Sequence, residues 1–213
     1  MNLQINSIKG KVANSLYRIQ MGWTLWYIGI LLGIQVIVFY FTSDVQEANF
    51  NFMYFISQPS KIYMLVIGII LFFNFFGYFI KNGVTRKDYF VGSAIAAGGV
   101  ALSIILIGLI ISAIIYITGI FPSSLEMDII DQSLGLVKQI TALSLLLYGY
   151  YIAGWIVAAG FYGFSGWYKS ASIVVAALFA GIINTIWQGD VDFPLYLVYS
   201  YSIRRWGLEY TYF

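Results

Sequence analysis

The chain has 213 residues, 61% of them hydrophobic and 9% charged, with mean hydropathy +0.84 and net charge +2. A soluble domain carries about 25% charged residues, so this chain cannot cover a water-facing surface, and lipid is the solvent for much of it. The small net charge gives no reason to expect nucleic acid, and the absence of Cys and His excludes disulfides, thiol nucleophiles, Cys/His zinc sites and the commonest general base.

Residues 2–19 place Ile5, Ile8, Val12, Leu16 and Ile19 at spacings of three and four, with Lys9, Lys11 and Arg18 mostly elsewhere. This pattern predicts an amphipathic helix lying along the inner leaflet and leading into the first span. Residues 1–20 hold no continuous apolar core, which is not the pattern of a cleavable signal. The first span is expected at 22–42. It contains a Gly29-x-x-x-Gly33 pair, which serves close helix packing or a subunit interface.

The second span is expected at 62–80 and is followed by the largest charge cluster in the chain. There Asn82-Gly83 is a turn signal, and Thr85 can cap a new helix opening with Arg86, Lys87 and Asp88, before the aromatics Tyr89 and Phe90. Structurally this is a basic hairpin. Functionally its charges and aromatics suit docking to a soluble partner.

The third span, 90–121, is long enough to tilt or protrude, and its 92–101 stretch is almost entirely Gly, Ala and Ser. Ser123-Ser124-Leu125-Glu126 has capping-box spacing and predicts a short outer helix over 123–136. A fourth span follows at 140–162, again rich in small residues at Gly154, Ala158, Ala159 and Gly160, and a fifth at 171–187. The last apolar segment, 195–203, reaches only about 14 Å as a helix, roughly half a membrane.

The fold class is therefore an all-α polytopic transmembrane bundle of about six membrane segments with a short sixth, forming a single domain over 1–213. Orientation follows from the basic residues. With a cytoplasmic N-terminus, nine of the 11 Lys and Arg lie inside and only Lys61 and Lys138 outside. That asymmetry places both termini in the cytoplasm. Trp23, Trp26, Tyr27, Tyr162, Trp167 and Trp187 fall at expected interfaces, where amphipathic rings anchor spans.

No Gly-rich phosphate loop is present. Gly163-Phe164-Ser165-Gly166 matches the GxSG of rhomboid-type proteases, but the required His base is missing. An enzyme is not expected, nor a cofactor in this chain. No expected span carries a formal charge, which disfavours ion-coupled transport. The polar set within spans includes Gln35, Asn74, Ser103, Ser112, Thr141, Ser144, Asn184, Thr185 and several tyrosines. Most are expected to hydrogen-bond between helices, with Gln35 and Asn74 facing the bundle or lining a cavity.

The inner amphipathic helix, the basic hairpin after the second span and the outer helix together resemble the permease subunit of a type-2 ABC exporter. The run Asn82-Gly83-Val84-Thr85-Arg86-Lys87-Asp88-Tyr89-Phe90 is similar to the NGVSRKxxF loop of small permeases from Gram-positive bacteria. The resemblance implies that Asn82, Gly83, Val84, Thr85, Arg86, Lys87, Asp88, Tyr89 and Phe90 form a coupling helix on a separate ABC ATPase subunit, which would carry ATP and Mg. It implies a connecting helix at 2–19 and a second permease, as homo- or heterodimer, in a multi-pass complex of the bacterial plasma membrane. The cargo would be amphipathic or hydrophobic peptides or similar toxic compounds. Members of the family carry six full spans, and the short 195–203 segment departs from that pattern. The alternative is a non-transporting immunity or sensor protein that binds a peptide or partner.

Overall fold

The structure is a computed structural model that describes residues 2–41, 52–118, 136–163 and 165–188. Among these residues there are five helices and no strand: α1 (Asn2–Phe41), α2 (Phe52–Lys81), α3 (Arg86–Thr118), α4 (Leu136–Gly163) and α5 (Tyr168–Gln188). Hydrocarbon offers no partner to a backbone N–H or C=O, so each segment pairs its own. Helices α1 to α4 are long and apolar enough to cross a membrane, and α5 carries a shorter apolar stretch, Lys169–Thr185. This is a helical membrane protein. The expected outer helix up to residue 135 and the segment 195–203 lie outside the described residues.

Residues 2–41 form one unbroken helix of 40 residues, about 60 Å long, rather than a surface helix followed by a span. Its buried seam is Val12, Leu16, Gln20, Thr24, Ile28, Leu31 and Gln35. Each step of four residues turns about 40° beyond a full helical turn, so the seam winds from α3 to α2. At the first end, a Cβ on Gly92 of α3 would stand 2.8 Å from Val12, and Tyr17 reaches Ser103 at 2.9 Å. At the second, Thr24 and Tyr27 meet Tyr63 and Ser60 of α2. The Gly- and Ala-rich stretch of α3 thus does what its composition suggests: it lets α1 approach closely.

The Gly29–Gly33 pair does not. Neither glycine has anything within 4 Å of its Cβ position, because the seam places it on the opposite side of α1 beside exposed Trp26 and Ile30. Within this chain the pair faces outward.

Helix α2 starts ten residues before the expected span and contains Pro59. It packs most extensively on α4, and the closest point is between glycines. A Cβ on Gly154 would collide with the Leu65 carbonyl, and one on Gly68 with the Tyr151 carbonyl. Helix α5 then lies along α4, with Ile183 over Gly149 and Ser172 over Gly160. The Gly154→Ala substitution should therefore destabilise the bundle by about 1–3 kcal/mol, the usual cost of overpacking, whereas Gly33→Ala should leave it unharmed. Thermal unfolding of the detergent-solubilised variants checks this; equal midpoints would mean that the α2–α4 crossing is not the tight contact.

Candidate functional site

The α2–α3 hairpin is built by two local devices. Helix α2 ends in a Schellman motif: Gly83 lies at φ 81°, its N–H donates to the Ile80 carbonyl and the Val84 N–H to the Phe79 carbonyl, both at 3.1 Å. Only glycine takes that φ without strain. Helix α3 opens with Thr85 as N-cap. Its Oγ1 accepts the Asp88 N–H at 3.1 Å and donates to the Asp88 carboxylate at 2.8 Å. The carboxylate also suits the positive end of the helix dipole and pairs with Lys9 of α1 at 3.8 Å.

Beyond the cap the hairpin is tied into the bundle. Tyr89 is fully buried, and its hydroxyl donates to the Leu71 carbonyl at 3.0 Å. Its ring meets Phe76 at 5.3 Å. Phe90 packs on Trp155 of α4 at 5.4 Å and on Phe72 and Phe76 of α2. Tyr162 closes the same cluster against Phe72 at 5.8 Å.

Two expectations change here. Residues 86–90 are the first turn of a 33-residue helix, not a separate coupling helix. Asp88, Tyr89 and Phe90 point into the protein: the two aromatic rings gain from burial, and the Asp88 carboxylate is held there by Thr85 and Lys9, which offset its loss of water. What the hairpin presents outward is Lys81, Asn82, Gly83, Thr85, Arg86 and Lys87, all exposed, with Val84 half-buried.

A second polar region lies at the opposite end of α2. The Thr24 and Tyr63 hydroxyls are 2.8 Å apart, those of Tyr27 and Ser60 are 3.1 Å apart, and the rings of Tyr27 and Tyr63 stack at 4.1 Å. Next to them Lys61, only 6% exposed, donates to Gln58 Oε1 and Asn184 Oδ1, each at 3.0 Å. Tyr150 donates to the same Asn184 oxygen at 3.5 Å. Lys61 was expected in an outer loop; it sits inside a helix, packed toward α4 and α5. Among the described residues no carboxylate pairs with it; two amide oxygens accept its hydrogen bonds instead.

Of the two residues expected to face inward, Gln35 is buried on the α1 seam. Asn74 is exposed, and its amide donates to the Ile70 carbonyl at 2.9 Å. A short amide can satisfy itself on the preceding turn, which removes the need for an inward position. Thr141 and Thr185 do the same with Val137 and Gly181, and among the described residues the buried hydroxyls of Ser112 and Ser144 have no partner. Among the described residues, only Ser103 and Asn184 of the expected set bond across helices. The Tyr27, Ser60 and Lys61 contacts were not foreseen, though Gln20 and Thr24 continue the four-residue ladder of Val12 and Leu16.

Comparison with protein-family models, with curated proteins and with solved structures gave no match, so the site is read from its own geometry. Tyr89→Phe keeps the ring and removes the bond to Leu71, and should cost about 0.5–1.5 kcal/mol. Arg86→Ala and Lys87→Ala should change stability by less than about 0.5 kcal/mol. Unfolding monitored by tryptophan fluorescence separates these; a neutral Tyr89→Phe would show that ring packing alone holds the hairpin.

Proposed function

We propose that this chain is the permease subunit of an ATP-driven ABC exporter in a bacterial plasma membrane, docked on a separate ATPase subunit through the exposed tip of the α2–α3 hairpin. The observation that carries this reading is the rigidity of the tip. A Schellman end, a threonine cap and the buried Tyr89 hydroxyl hold a small basic surface, Lys81, Arg86 and Lys87. A surface that takes mechanical force must not yield locally. Here a load on Arg86 or Lys87 passes into two long helices, and through Phe90 and Trp155 into a third.

On this reading the hairpin faces the cytoplasm, as the excess of Lys and Arg on that side favours. ATP and Mg belong to the partner subunit. A second permease, identical or different, completes the membrane part, and amphipathic peptides or similar toxic compounds are the cargo class. Asn82, Gly83, Thr85, Arg86 and Lys87 make the contact, with Val84 at its edge. Asp88, Tyr89 and Phe90 brace it from behind.

The burial of the two aromatics also favours a second reading. A tight interface is normally anchored by aromatic side chains in a partner's pocket, and this tip offers cations without such an anchor. A non-transporting immunity or sensor protein needs no ATPase at all. The two readings part in one experiment. Exchange of Arg86 and Lys87 for Glu should abolish co-purification of an ATPase subunit and its stimulated hydrolysis, with membrane insertion unchanged. If wild type brings down no ATPase, or the double variant keeps it, the exporter reading is lost.

A further inference from the structure

The amide orientations around Lys61 determine what the cluster can bind. An ammonium group donates three hydrogen bonds and accepts none, so the Gln58 and Asn184 oxygens must face it, as they do at 3.0 Å. The Asn184 oxygen also takes the Tyr150 hydroxyl proton. With their oxygens engaged, both amides turn their NH₂ groups away from Lys61. Among the described residues the third ammonium proton is left as well. Among the described residues the cluster therefore offers a positive charge and N–H donors that outnumber the acceptor sites left on the Gln58 oxygen and the Tyr150 hydroxyl. That is the complement of an anion.

Its depth narrows the choice. Lys61 and Lys81 bracket the uncharged run 62–80 of α2, about 30 Å of helix and so about the thickness of the hydrocarbon core. With Lys81 at one membrane surface, Lys61 lies at the other, at headgroup level. Gln58 is exposed, and one and two turns along the same face stand Ile62 and Val66, 68% and 42% exposed. A polar mouth thus sits directly above an apolar strip.

We infer that Lys61, Gln58 and Asn184 form a binding site for the phosphate of an anionic phospholipid, whose acyl chain runs along Ile62 and Val66. The charge of Lys61, otherwise costly at 6% exposure, is then neutralised by the lipid. This site stands independently of the transport reading.

The test is lipid retention. The full chain is placed in nanodiscs of phosphatidylcholine with a minor fraction of phosphatidylglycerol, released, and its bound lipid counted by native mass spectrometry. Wild type should retain phosphatidylglycerol in preference. Lys61→Gln should weaken that retention about fivefold, the contribution of one basic residue at an anionic surface, while Lys61→Arg keeps most of it. Because Lys61→Gln could fail to fold, Gln58→Ala at the exposed mouth provides a second reading, with an expected loss of about twofold. Three results would overturn the inference: equal retention by wild type and both neutral variants, equal retention of phosphatidylcholine, or displacement of the lipid by millimolar inorganic phosphate. The last would assign the site to a soluble anion.

Discussion

Acyl chains are as apolar as leucine, so the hydrophobic effect that drives a soluble core together does not drive membrane helices together. Close backbone contact and polar bonds must do it. In this protein the tightest such contact is the crossing of α2 and α4, where Gly68 and Gly154 leave no room for a side chain. That crossing sets where the rest of α4 can lie. It brings Trp155 and Tyr162 to the same level as Phe72, Phe76 and Phe90, and the aromatic cluster so formed receives the start of α3. With α3 in place, its Gly92–Ala101 stretch offers the smooth surface on which α1 lies. One pair of glycines thus precedes the hairpin and the α1 contact in the order of dependence.

Polar groups follow a different logic. A membrane bundle tolerates a hydroxyl or amide where it finds an acceptor, and here there are two kinds. Thr141, Thr185 and Asn74 turn back on their own helices, which lets them sit at any depth and on any face. Tyr17, Tyr27, Tyr63, Tyr89 and Tyr151 instead reach across to a neighbouring helix, Tyr63 to a Thr24 hydroxyl that itself donates to the Gln20 carbonyl. Tyrosine dominates the second kind for a geometric reason: its hydroxyl lies far from its own backbone, so it can span an interhelical gap while its ring packs.

These rules explain which parts were legible in the sequence. The apolar runs of α2 to α5 were, because hydrocarbon demands them at a fixed length. The smooth face of α3 was, because small residues have one main use there. The start of α2 was not. Ser57, Gln58, Pro59, Ser60 and Lys61 read as a loop, since a single sequence treats polar residues as water-facing; the structure places Ser57, Ser60 and Lys61 at buried positions of a helix. The face of a glycine pair was equally invisible. Gly29 and Gly33 have the same spacing as a packing motif, and only the winding of the α1 seam puts them outside. At the hairpin the turn and the cap were readable residue by residue, whereas the inward turn of Tyr89 and Phe90 depends on Leu71 and Trp155, distant in sequence.

Helix α2 joins the two polar ends of the molecule. At one end its terminal turn is fused to the basic tip, and at the other Lys61 is held by an amide of α5. Between them lies the glycine crossing with α4. A helix is stiff over such a length, and the crossing, where backbones meet at Gly68 and Gly154, is the point of α2 least free to move sideways. Displacement of the tip would therefore tilt α2 about the crossing and move Lys61 in the opposite sense, against Asn184 and Tyr150. The Lys61–Asn184 contact links α2 to α5 there through one hydrogen bond rather than through packed rings. If the tip takes force from a partner, the far membrane surface is where that force would be felt first.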